Sequence, residues 1–143
     1  MAELRKAHLY GQYRECVVWA GTIIANVIED ILWEKLPKTS TEYKRLKNNG
    51  AEIRGATKRG AFFKKATGRT LTEWLEGYEK QSMGWKGLAK NVETILNDRN
   101  LLLHRKKAIG PKEGQLAFET CMNFLYALQY GVSFNPEETD YRF

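Results

Sequence analysis

The sequence predicts an all-α fold: a helical bundle of four to five main helices, with a basic irregular segment between the early helices and the penultimate long one. Two observations carry this. Apolar residues recur at three- and four-residue spacings along most of the chain, and no segment alternates polar with apolar over six or more residues. A chain of 143 residues, 43% of them hydrophobic, is long enough for one continuous core. Residues 1–143 are therefore read as a single domain, with a polar, flexible tail over 135–143.

From Glu3 to Leu36 no proline intervenes, and Val17, Val18, Gly21, Ile24, Ala25, Ile28, Ile31 and Leu32 form one apolar stripe. This predicts a long helix, interrupted near Gly11 and ended by Pro37. Gly21 within the stripe would let another backbone come close. Thr39 followed by Glu42 suits the cap of a short helix through Leu46, with Asn48-Asn49-Gly50 ending it. From there to Gly68 the chain is basic and punctuated by glycine, with Phe62-Phe63 as its strong apolar anchor. A loop or short helices folded over the core are expected.

Thr70-Leu71-Thr72-Glu73 fits a capping box, and Leu71, Trp74, Leu75 and Tyr78 follow it as a short amphipathic helix. After a break at Gly84 or Gly87, a long helix is predicted from about Lys86 to Lys107. Gly110-Pro111 connects it to a last helix from about Glu113 to Tyr130, whose inner side carries Ala117, Cys121, Phe124, Leu125 and Leu128.

Charge is segregated along the chain. Lys44 to Arg69 holds nine Lys or Arg and one acid, Glu52; Arg99 to Lys112 holds five Lys or Arg and no acid; Glu15 to Glu34 holds four acids and no Lys or Arg. Clustered cations of this kind suit an anionic partner, although a solvated basic face has the same pattern. The two cysteines, Cys16 and Cys121, lie within predicted helices and read as small buried side chains rather than as a zinc cluster or a disulfide. No secretory leader is legible, and charged residues interrupt the helical candidates, so a cytoplasmic protein without a membrane partner is expected.

One stretch of the penultimate long helix stands out. With about 100° per residue and Leu88 at zero, Val92, Ile95, Leu96, Leu102 and Leu103 gather within about 80° of it, and Arg99 falls among them at about 20°. Asn100 and His104 lie together on a neighbouring face, at about 120° and 160°. An arginine among leucines must be paired, reach a polar cleft, or meet something outside its own helix. Glu29 or Asp30 would serve as an internal partner, and His104 would then be an idle residue at a helix end.

Arg99-Asn100-Leu101-Leu102-Leu103-His104 resembles the R-x4-6-H motif of HEPN domains, in the form with a polar residue directly after the arginine. The stretch Gly68 to Leu75 is similar to the short helix that precedes the motif helix in several branches of that family. HEPN domains are small helical bundles, commonly dimeric, and many are metal-independent endoribonucleases of toxin and defence systems. The resemblance implies catalytic roles for Arg99, Asn100 and His104, a homodimer, RNA as substrate, and an antitoxin or other regulatory protein as partner. A branch of these toxins has a tyrosine two residues after the histidine, where a partner modifies it; here that position is Lys106, so such control is not expected.

On this reading the 2′-hydroxyl of RNA is the nucleophile, His104 supplies acid–base chemistry near neutral pH, and Arg99 donates paired hydrogen bonds to the phosphate. Asn100 would orient one or the other. Arg54, Lys58, Arg59, Lys64, Lys65, Arg69, Arg105, Lys106, Lys107 and Lys112 would bind RNA through its phosphates, and Phe62, Phe63, Tyr78 or Trp85 would either stack bases or anchor the core. No cofactor or metal is called for, since Glu29, Asp30, Glu93 and Asp98 form no convergent pattern. Arg99 and His104 are about 140° apart on one helix, and a two-fold dimer would resolve this by facing the histidine of one chain with the arginine of the other. Two alternatives stay open: a non-catalytic HEPN-like RNA-binding or protein-assembly module, and an unrelated helical adaptor.

Overall fold

The computed structural model describes residues 2–48, 56–81, 85–104 and 109–130, without the side chains of 56–60, 101, 103, 104, 129 and 130. Among these residues the fold is all-α, with seven helices and no strand. They are α1 (Ala2–Leu9), α2 (Tyr13–Lys35), α3 (Thr41–Asn48), α4 (Ala56–Thr67), α5 (Leu71–Glu79), α6 (Leu88–His104) and α7 (Pro111–Tyr130).

The expected interruption near Gly11 is a full break. Gly11 takes φ +68°, the Gln12 amide donates to the Ala7 carbonyl at 2.8 Å and the Gly11 amide to that of His8 at 3.3 Å, which together close α1 with a glycine in the left-handed region. Pro37 ends α2 by forcing Leu36 out of the helical region, to ψ 132°. The cap of α3 is Ser40 rather than Thr39: the Ser40 Oγ accepts from the Tyr43 amide at 3.2 Å and donates to the Pro37 carbonyl at 2.6 Å. That second bond ties the cap to the proline turn, an option Thr39 does not have one residue earlier.

The basic segment holds a regular helix of 12 residues, α4, where the sequence suggested a loop or short helices. Its helicity comes from anchorage. Phe62 and Phe63 are buried, Phe63 meets Trp74 edge-on at 5.3 Å, and Arg45 of α3 lies over the Phe62 ring at 5.6 Å. Tertiary burial of this kind overrides weak local propensity. The Thr67 hydroxyl donates to the Phe63 carbonyl, Gly68 turns the chain at φ +81°, and the capping box at Thr70 and Glu73 then starts α5 as the sequence predicts.

Gly87, at φ +82°, marks the start of α6, and its amide donates to the Glu79 carboxylate. Pro111 is the first residue of α7, where its missing N–H costs nothing, and the Glu113 carboxylate accepts from the Gly110 amide at 3.1 Å. Asn135 to Phe143, the expected tail, lies outside the described residues.

The core is built on α2, which buries Cys16, Val17, Ala20, Gly21, Ile24, Ile28, Ile31 and Leu32 and packs most extensively against α7 and α6. Helix α1 lies against α2 and α7, α5 against α6, and α4 against α2 and α5. Cys16 and Cys121 are both buried free thiols, as read from the sequence. Charge interrupts α2 less than expected: by length and composition it is apolar enough to cross a membrane, although here its apolar side forms the centre of the protein.

Candidate functional site at the seam of α2 and α6

The spacing within α6 puts Leu88, Val92, Ile95, Leu96 and Leu102 into the core, and Arg99, in the same stripe, goes with them to the α2 surface. The reason it fits is Gly21. A Cβ at residue 21 would stand 2.6 Å from Arg99 Cδ, 2.8 Å from its Cβ and 3.1 Å from its Cγ, so the arginine stem occupies the space that any other residue there would fill. Gly21 does permit a close approach, by a side chain rather than by a backbone. The stem is thereby pressed onto α2, and Arg99 is only half-buried.

At the end of that stem, Arg99 Nε donates to Thr22 Oγ1 at 3.0 Å. Gly21 and Thr22 thus act as a pair, one giving room for the methylenes and the next fixing the plane of the guanidinium. Asn100, the next residue of the motif, is also half-buried. His104 is the last described residue of α6, and its side chain lies outside the described residues.

A second arginine meets α6 from across the seam. Arg14, in the first turn of α2, donates from Nη2 to the Leu102 carbonyl at 3.3 Å. With Arg14 against Leu102 and Gly21–Thr22 against Arg99, α2 and α6 run antiparallel, and both contacts fall in the later part of α6 as described.

The other expected cations divide into groups. Lys64 and Lys65 are exposed on α4 and Arg69 is half-buried in the turn before α5, whereas Lys112 is exposed at the start of α7. Arg54, Arg105, Lys106 and Lys107 lie outside the described residues, as do the side chains of Lys58 and Arg59. Phe62, Phe63 and Tyr78 are 2%, 0% and 1% exposed, so they are core anchors and cannot stack bases; Trp85 is half-buried and meets Tyr78 edge-on. No group of three or more His, Cys, Asp or Glu that could hold a metal ion occurs among the described residues.

The chain's other histidine also has a defined setting. His8 stacks flat on Phe118 with centroids 4.0 Å apart, and its Nε2 lies 2.6 Å from Gln115 Oε1. Because Gln115 gives its amide N–H to Glu119 at 2.8 Å, its oxygen faces His8, and His8 Nε2 must carry the proton. The contact joins α1 to α7 and is fully explained by that role.

Sequence reasoning identified Gly21 and Arg99 separately but missed Thr22 and Arg14 as their company. Thr22 had a legible signal, being the polar residue next to the one glycine of the apolar stripe. Arg14 had none, because its partner is a main-chain oxygen. No family model, curated protein or solved structure matches this chain.

Proposed function

We propose that this chain is a HEPN-type endoribonuclease that cleaves RNA without a metal, acting in the cytoplasm as a toxin or defence effector and restrained by an antitoxin or another regulatory protein. One observation supports the reading above all others. The arginine of the Arg99–His104 motif is anchored along its stem by Gly21 and at Nε by Thr22, which turns a flexible side chain into a preorganised donor.

In that role Arg99 offers its terminal N–H groups to the non-bridging oxygens of the scissile phosphate, where charge grows as the 2′-oxygen attacks. His104 removes the 2′-hydroxyl proton or protonates the departing 5′-oxygen, and the bond formed between O2′ and phosphorus replaces the one broken to O5′. A homodimer brings His104 of one copy toward Arg99 of the other and relieves the angular separation of the two along α6. In support of a further interface, Trp19 and Trp33 are exposed at 40% and 38% on the outer side of α2.

The experiment is cleavage of single-stranded and folded RNA in the presence of chelator by wild type, Arg99→Ala and His104→Ala. Cleavage by wild type that both variants lose by at least about 100-fold is the expected result. RNA binding without cleavage by wild type would instead identify a non-catalytic HEPN-like RNA-binding or assembly module.

A further inference from the structure

Arg14 occupies an electrostatically awkward place. It stands in the first turn of α2, where the helix dipole presents partial positive charge and favours acids. Its partner on α6 is the Leu102 carbonyl, toward the C-terminal part of the described helix, where the dipole is negative. The antiparallel packing of α2 on α6 therefore holds a guanidinium beside the motif helix at Leu102, three residues along from Arg99.

Capping one carbonyl uses one of the five N–H donors of an arginine. Arg14 is exposed, so it combines a tether to the protein with access to solvent. A third segment reaches the same end. Tyr13, the residue before Arg14, packs so tightly on Gly114 that a Cβ there would be 2.7 Å from Tyr13 Cδ1 and 3.0 Å from its Cα. This contact brings the start of α7, and with it the exposed Lys112, to the Arg14 end of the bundle.

We infer that Arg14 is a phosphate-binding residue for single-stranded RNA, holding the phosphodiester next to the one at Arg99 on a path that leads on toward Lys112. The inference rests on the reading of the α2–α6 seam as an RNA site, and it assigns to that site a residue outside the motif. A tethered arginine suits this task because its fork is already oriented when the strand arrives.

The test is fluorescence anisotropy of the full chain with a short labelled single-stranded oligoribonucleotide, in chelator and across a potassium chloride titration. His104→Ala serves as background, so that bound RNA stays intact. Arg14→Gln keeps a donor for the Leu102 carbonyl and loses the charge. It is expected to weaken binding roughly tenfold and to lower the slope of log affinity against log salt by about 0.7 to 1.

Unchanged affinity and slope in Arg14→Gln would overturn the assignment and leave Arg14 as a tie between α2 and α6. Should that variant lose its native melting transition, Arg14→Met, which keeps the stem and removes the charge, is read in the same way: a slope lowered by about 0.7 to 1 upholds the phosphate contact, and an unchanged slope removes it. Absence of RNA binding by the background chain overturns it as well. Failure of the nuclease reading looks different, because RNA bound through Arg14 but never cleaved by wild type would sink catalysis and leave the contact standing.

Discussion

The stem of Arg99 lies across Gly21 so closely that a methyl group at residue 21 would be 2.6 Å from its Cδ. Two helices separated by most of the chain are thus fitted to each other through the absence of one side chain and the presence of another. Gly21→Ala should gain up to about 1 kcal/mol of helix propensity and lose about 1–3 kcal/mol to overpacking, leaving stability little changed or modestly lower. The larger effect falls on Arg99, whose Cβ and Cγ must move with α6. RNA cleavage is expected to drop about tenfold or more while thermal melting shifts by only a few degrees; full cleavage activity in Gly21→Ala would contradict this fit.

Thr22→Val keeps the shape of residue 22 and removes the oxygen that Arg99 Nε uses at 3.0 Å. The guanidinium then loses its fixed plane, and cleavage should fall roughly tenfold with little change in RNA affinity, since the charge remains. Thr22→Ser restores the acceptor and should restore the rate. Equal rates for the valine and serine variants would show that the hydroxyl has no part in the reaction.

Burial pushes the Cys121 thiol up to about 12 from its ordinary value near 9, and burial followed by the charge of Glu15 raises Cys16 in the same direction. Between these limits the unfolded chain gives up the Cys121 proton and the folded chain keeps it, so stability falls as pH rises, at about 1.4 kcal/mol per pH unit. Urea midpoints measured at about pH 8.5 and about pH 10.5 should separate by less in Cys121→Ala than in wild type. Native protein should also react slowly with a thiol reagent at both cysteines, and rapid native modification of Cys121 would refute its inert burial.

At the other end of the site helix's support, Thr70 caps α5 through the Glu73 amide at 3.2 Å, and Glu73 returns a bond to the Thr70 amide. Thr70→Ala should cost about 1 kcal/mol, read as a lower urea midpoint with unchanged slope. The Thr70 hydroxyl and amide also hold the Glu73 carboxyl below its usual value. A depressed carboxylate stabilises the fold above its unfolded pKa and ceases to do so as pH falls through the folded one, so the variant's deficit should shrink in acid.

Much of the fold was legible because its punctuation is local. Gly11, Pro37, Thr70 with Glu73, Gly87 and Pro111 each act on the backbone within a few residues, and all of them bound helices where the sequence placed boundaries. Helix α4 was legible only as a loop or short helices, because Gly60 and a run of cations weaken its own propensity and its order depends on Phe62 and Phe63 reaching the core. The candidate site divides the same way. Arg99 was conspicuous as a charge in an apolar stripe, and Gly21 as a gap in another, but that one fills the other is a fact of α2–α6 register. No periodicity within either helix contains that information. Arg14 is the extreme case, since a main-chain carbonyl gives a sequence nothing to match.

The central position of α2 has a consequence for how the molecule comes into being. Its main cover, α6 and α7, emerges from the ribosome well after it, so the apolar side of α2 waits for roughly 100 further residues, about 5–20 s of synthesis. Until then Gly21 has no arginine stem to receive and Arg14 no Leu102 carbonyl to bond. Native burial is withheld from every shorter nascent chain, and the interval is one in which a chaperone has a long greasy helix to hold.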